Sequence, residues 1–118
     1  LSYEPHPQTF KILELNAASA SNISCFNYGL SDVPKVALLE THPNKTGMGG
    51  SSVVEFQNNY TQQIKLDRLD AVIPNLHSIN LIKIDIEGHE FQALKGAENI
   101  IKNKIFDVFH VHIILGNN

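Results

Sequence analysis

The stretch Leu81-Ile82-Lys83-Ile84-Asp85-Ile86-Glu87-Gly88-His89-Glu90 constrains this chain more than any other. Its first half alternates as a strand does. Ile82, Ile84 and Ile86 fall on one face, with Leu81, Lys83 and Asp85 on the other. Its second half gathers Asp85, Glu87, His89 and Glu90 around a glycine that lets the backbone turn. A helical pattern follows from about Glu90 to Asn103, with Phe91, Leu94, Ala97 and Ile101 on one face. Open α/β sheets bind ligands beyond the carboxyl ends of such strands. Four ionisable side chains at one strand end are hard to explain by packing alone.

The rest of the chain repeats the alternation. Leu1 to Glu4 reads as a strand end, broken by Pro5-His6-Pro7. Pro7 suits the first position of a helix over residues 8 to 18, where its missing N–H costs nothing. Ile23 to Leu30 reads as a strand bent at Gly29, and Lys35 to Thr41 as another. His42 to Ser52 reads as a glycine-rich loop, which would be flexible or form a lid. It lacks the ending of a P-loop. Val53 to Phe56 and Gln62 to Leu66 read as strands joined in a hairpin at Asn58-Asn59. A short helix is predicted over Asp67 to Val72, with Asp67 as N-cap and Pro74 as its stop. Gly96 inside the later helix costs about 1 kcal/mol against alanine, which points to a close packing contact. Phe106 to Leu115 reads as the last strand. Strand–helix alternation at both ends predicts an α/β fold with a parallel sheet and helices on its faces.

Composition narrows the function. With 118 residues the chain has room for one small domain, read here as one partial domain over residues 1–118. Both ends read as cut through structured elements, which predicts a fragment of a longer chain. The net charge of −3 has no basic block, so nucleic acid is not an expected partner. The longest apolar runs are too short to span a bilayer. Cys25 is the sole cysteine, which fits a reducing, cytoplasmic compartment. Three glycosylation sequons begin at Asn22, Asn44 and Asn59; chance yields about one or two in a chain so rich in Asn, Ser and Thr.

Several residues have the chemistry of a site. Glu4 closes a strand just before a helix, where an acid accepts ribose hydroxyls in nucleotide-binding folds; otherwise it is an exposed strand-end acid. Asp32 closes the next strand; it either contacts a base edge or belongs to an ordinary Ser31-Asp32-Val33-Pro34 turn. Asp85 and Glu87 share a face if their strand continues. His89 is the side chain best suited to proton transfer near neutral pH. Glu90 has a simpler explanation, because acids are favoured at helix N-termini. His110 and His112 alternate on a strand and would need further ligands to hold a metal. His6, His42 and His77 lie in loops and carry little signal.

Taken together, these pieces resemble the FkbM family of S-adenosylmethionine-dependent methyltransferases. The resemblance runs through Tyr3-Glu4-Pro5-His6-Pro7, Asn27-Tyr28-Gly29-Leu30-Ser31-Asp32, Gly49-Gly50-Ser51-Ser52 and Leu66-Asp67-Arg68-Leu69. It culminates in the Leu81 to Glu90 block with Leu94-Lys95-Gly96-Ala97, and covers roughly residues 2 to 107. It implies a Rossmann-like methyltransferase sheet. In that fold the acid after the second strand holds the cofactor ribose, which falls on Glu4 with Pro5 beside it. The adenine lies near Ser31 and Asp32. The methyl group and acceptor lie near Asp85, Glu87 and His89. The family is linked mainly to O-methylation of sugars and other hydroxylated metabolites, so the expected partner is a small-molecule or glycan acceptor.

The resemblance also has gaps. The family's glycine-rich loop after its first strand precedes Glu4 and is absent, and the late strands are missing. The sheet is therefore expected to be partial, and this stretch alone is expected to bind the cofactor weakly or not at all. In the expected mechanism, Asp85 or His89 takes the acceptor's proton while Glu87 orients the acceptor. A divalent cation on Asp85 and Glu87 is a variant of it. Two other readings stand beside it: an inactive, truncated Rossmann-like module used in binding or assembly, and a metal-dependent enzyme built on His110 and His112.

Overall fold

The computed structural model describes residues 1–41, 51–73 and 79–103, together with the backbone of residues 106–111. The loop glycines Gly47, Gly49 and Gly50, with His42, Pro74, His77 and His112, lie outside the described residues. The chain forms two compact units: Leu1–Gly29 with Pro34–Leu66, and Leu30–Val33 with Asp67 onward. Both mix helix and strand, which makes the protein α/β.

The first unit opens with β1 (Ser2–Tyr3), α1 (Pro7–Ala17) and β2 (Cys25–Phe26). The two strands pair in parallel, Ser2 with Cys25 and Tyr3 with Phe26, and α1 is the crossover. Pro7 begins the helix as predicted, and His6 caps it, its Nδ1 accepting the Thr9 N–H at 3.4 Å.

The single strand predicted over Ile23 to Leu30 is instead two, β2 and β3 (Gly29–Leu30). Asn27 explains the break. Its amide donates to the carbonyls of Glu4 and Pro5 at 2.9 and 3.3 Å. The Tyr28 ring meanwhile turns back onto Tyr3 and Phe26, with centroids 5.5 and 5.8 Å away.

The next sheet adds β4 (Lys35–Glu40), β5 (Ser52–Val54) and β6 (Thr61–Asp67), in the order β3-β6-β4-β5. The predicted hairpin between the last two strands does not form. Both pair antiparallel with β4, so that Leu39 faces Val53 on one side and Gln62 on the other. Asn58 helps steer the chain back. Its side-chain Oδ1 accepts the Tyr60 N–H at 2.8 Å, and its side-chain amide donates to the Glu40 carboxylate. Leu39, Ile64 and Leu66 form the buried face with Ala37 and Val53, while Gln63 and Lys65 point out. That alternation is the period of two expected of a half-buried sheet.

The second unit contains α2 (Leu69–Val72), β7 (Ile79–Ile84), α3 (Glu90–Lys95), α4 (Glu98–Lys102) and β8 (Phe106–Val111). β7 and β8 pair in parallel through a helical crossover, as the alternation predicts. Ile84 is buried and Leu81 exposed, in keeping with the predicted faces. Leu69, Ala93, Ala97 and Ile100 join Ile84 among the buried residues. Asp67 is not the cap of α2: it ends β6, and its Oδ1 accepts the Arg68 N–H at 2.7 Å.

The one long helix predicted from Glu90 is broken at Gly96-Ala97. Gly96 packs so tightly that a Cβ there would lie 2.0 Å from the Ser31 carbonyl oxygen. Its own carbonyl accepts the Asp70 N–H at 2.9 Å. The Asp70 carboxylate then takes the N–H groups of Asn99 and Ile100, both at 3.1 Å. These are donors that the first turn of α4 cannot satisfy internally.

Candidate active site

The ionisable turn after β7 is built by its own backbone. The strand ends at Ile84, two residues sooner than its apolar pattern suggests. Glu87 and Gly88 then adopt left-handed conformations, with φ of 54° and 93°. Asp85 and Glu87 therefore do not share the face that a continuing strand would give them. Asp85 pairs with Lys83 at 3.4 Å, at an exposed position. Glu90 is only 2% exposed, and its Oε1 accepts the N–H groups of Ile86 and Gly88 at 3.1 and 3.2 Å. One buried carboxylate thus fixes the shape of the turn. The sequence placed Glu90 at a helix start, but not this reach back across the turn.

His89, at the N-cap of α3, meets a residue far away in sequence. Its Nε2 lies 3.0 Å from the hydroxyl of Ser31. Ser31 is 0% exposed, and the same hydroxyl donates to Asp32 Oδ1 at 3.0 Å. Three residues singled out by sequence, Ser31, Asp32 and His89, are therefore joined in one hydrogen-bonded row.

Arg68 anchors this row. Its guanidinium donates to the Asp32 carbonyl at 2.5 Å, to Asp70 at 3.2 Å and to the Lys95 carbonyl at 3.3 Å. Arg68 and Asp70 were not among the expected site residues. The available signal was the Leu66-Asp67-Arg68-Leu69 motif, which could not tell a structural role from a functional one. Beside the row runs a groove lined by Asp32, Val33, Arg68, Phe91, Leu94 and Lys95. Apolar side chains share its wall with charged groups of both signs, Glu98 and Lys102 among them.

Glu4 and Pro5 belong to the first unit. Glu4 Oε1 accepts the His6 N–H at 2.8 Å, and the Pro5 carbonyl accepts from Asn27 at 3.3 Å. The carboxylate of Glu4 is thereby held beside the start of α1. The His110 side chain and His112 lie outside the described residues. Among the described residues no three His, Cys, Asp or Glu side chains cluster as a metal site, and no helix is long and apolar enough to cross a membrane.

Known proteins resemble this chain in sequence. The hexuronic acid methyltransferase AglP of Haloferax volcanii is 29% identical over 114 residues, covering 94% of this chain and 46% of that protein. Methyltransferase 1 of Beauveria bassiana is 23% identical over 124 residues, covering 84% of this chain and 49% of that protein. The chain thus spans about half the length of these curated relatives. No solved structure gives a significant match. The model of the methyltransferase FkbM domain matches residues 1–115, nearly the whole sequence. On that match the chain belongs to the FkbM methyltransferase family.

Proposed function

We propose that the protein carrying this chain transfers a methyl group from S-adenosylmethionine to a hydroxyl of a sugar or another hydroxylated metabolite. The observation that carries this reading is the row His89–Ser31–Asp32, which ties a proton-accepting side chain to an acid beside an apolar groove. The name of the Haloferax volcanii relative supports a sugar acceptor. The two parallel β-α-β pairs support a partial Rossmann-like methyltransferase sheet, with residues 1–118 as one partial domain. The single cysteine supports a cytoplasmic setting.

Each proposed donor, taken by itself, has chemistry that the cofactor calls for. Val33, Phe91 and Leu94 offer an apolar slot for adenine, and Asp32 an acceptor for its amine. Ser31, fully buried, acts on that slot through Asp32. Glu4, with Pro5 beside it, offers an acceptor-only group for ribose hydroxyls. When bound, S-adenosylmethionine supplies a methyl group on a positively charged sulfur, which departs as a neutral thioether.

The protein's task is to orient the acceptor oxygen and remove its proton. His89 takes that proton, while Asp85 and Glu87 accept hydrogen bonds from neighbouring hydroxyls and aim the acceptor. Asp85 and Glu87 are also hard oxygen donors of the kind that suit a divalent cation, but no step here is assigned to one.

The test uses the full-length protein. Loss of a general base slows a reaction by about 100- to 10,000-fold. His89→Ala is expected to slow transfer on that scale and Asp85→Asn to slow it less. Both should leave the calorimetric affinity for S-adenosylhomocysteine nearly unchanged. Wild-type rates in both variants would overturn the residue assignment. Absence of S-adenosylhomocysteine binding to the wild-type protein would overturn the enzyme reading in favour of a binding or assembly module.

A further inference from the structure

We infer that Glu90 is a positioning residue for methyl transfer: its buried carboxylate holds the turn over residues 85–88 and so sets where Asp85 and Glu87 stand. The use of that turn rests on the roles proposed for Asp85 and Glu87. The hold of Glu90 on the turn does not.

Local preference does not keep this turn in shape. Glu87 has φ 54°, a left-handed conformation that a residue with a side chain adopts only at a cost. Gly88 follows at φ 93°. Packing does not brace Gly88 either. Among the described residues, its chain neighbours apart, no atom lies within 4 Å of where a Cβ would stand.

Hydrogen bonding supplies the hold. Glu90 Oε1 accepts the Ile86 N–H at 3.1 Å and the Gly88 N–H at 3.2 Å. The two donors flank Glu87 and converge on one oxygen, as the N–H groups of a turn do around a bound anion. Here the oxygen that fills the concavity belongs to the chain itself. A carboxyl group keeps an acceptor oxygen whether or not it carries a proton, so the hold does not depend on the charge. Glu90 is 2% exposed, so bulk water competes little for the two donors. It is also the first residue of α3, a helix rooted by buried Ala93. The carboxylate therefore ties an open turn to a fixed element, which fits a group whose task is to place others.

Amide hydrogen exchange and turnover on the full-length protein decide the point. In the wild type, the Ile86 and Gly88 N–H groups are expected to be protected. Glu90→Ala should speed their exchange by about tenfold or more, the factor that matches one lost hydrogen bond. It should also lower kcat by about 100-fold, the scale on which a misplaced group slows a reaction. Glu90→Gln, which keeps an acceptor oxygen at the same reach, should recover most of both losses. Added formate, small enough to fill the vacated concavity, should partly restore transfer by Glu90→Ala. Unprotected Ile86 and Gly88 in the wild type would overturn the inference, and that measurement needs no variant that folds. So would a Glu90→Ala protein with a lower urea midpoint but wild-type turnover by its folded fraction, since Glu90 would then serve stability alone. The two readings fail separately. Normal transfer by His89→Ala and Asp85→Asn removes the assigned chemistry, whereas exchange at Ile86 and Gly88 judges the hold of Glu90 on the turn.

Discussion

Glu87 holds a left-handed backbone, φ 54°, that side chains other than glycine adopt at a cost. The chain accepts that strain in a turn whose neighbours are the proposed catalytic residues, a pattern common at functional sites. Glu87→Gly should therefore raise stability by about 1 kcal/mol, read as a higher urea midpoint. The same change should slow methyl transfer, because a carboxylate that aims the acceptor is gone. A variant that is both more stable and fully active would show that the carboxylate does not serve the reaction. His89 and Ser31 make the complementary point. Either residue could be picked out by type, but their bond joins positions 58 apart in sequence, and no local pattern announces it.

At the scale of elements, the break between α3 and α4 is imposed from outside the helix. The sequence carried half of this message, because Gly96 in a helical pattern already implied a close contact. The contact proves to be the Ser31 backbone. Gly96→Ala should cost about 1–3 kcal/mol, as overpacking does in well-filled cores. It should also disturb His89, since the displaced segment carries Ser31. Asp70 is the second device at this junction, serving Arg68 and the first N–H groups of α4 from 7% side-chain exposure. Asp70→Ala should cost about 1.5–3 kcal/mol, the range for hydrogen bonds to a charged group, measured by denaturant unfolding. An effect near zero would mean that solvent replaces those bonds without loss. The misread hairpin has a similar origin. Asn58-Asn59 was correctly read as turn chemistry, but the partner strand was chosen by the apolar face of β4.

At the scale of the whole molecule, stability carries a mark at high pH. Burial pushes the Tyr3 phenol from 10.0 up to about 12, with the Tyr28 phenol adding to the shift. A raised value means that the folded state keeps a proton the unfolded chain would release. The contribution is complete below about pH 10 and is lost as pH rises toward 12. A spectrophotometric titration should show one phenol ionising late, and Tyr3→Phe should remove both that step and the matching fall in stability. Its hydroxyl has no hydrogen-bond partner among the described residues, so the substitution itself should cost little below pH 10.

What the sequence determined by itself was local. Period-two alternation in residues 81–84, helical spacing after Glu90, proline at the start of α1 and the parallel β-α-β logic at both ends depend on neighbouring residues, and they survive in the structure. The FkbM motifs were legible for the same reason, as short strings in a fixed order. Tertiary structure decided which groups meet. It ended β7 at Ile84, split the helix at Gly96, assigned Glu90 to the turn and Arg68 to the carbonyls around Ser31. These choices arise because a buried polar group must find a partner, and that partner is chosen by proximity in space. Sequence supplied the histidine, and only the fold brings its Nε2 to 3.0 Å from the Ser31 hydroxyl.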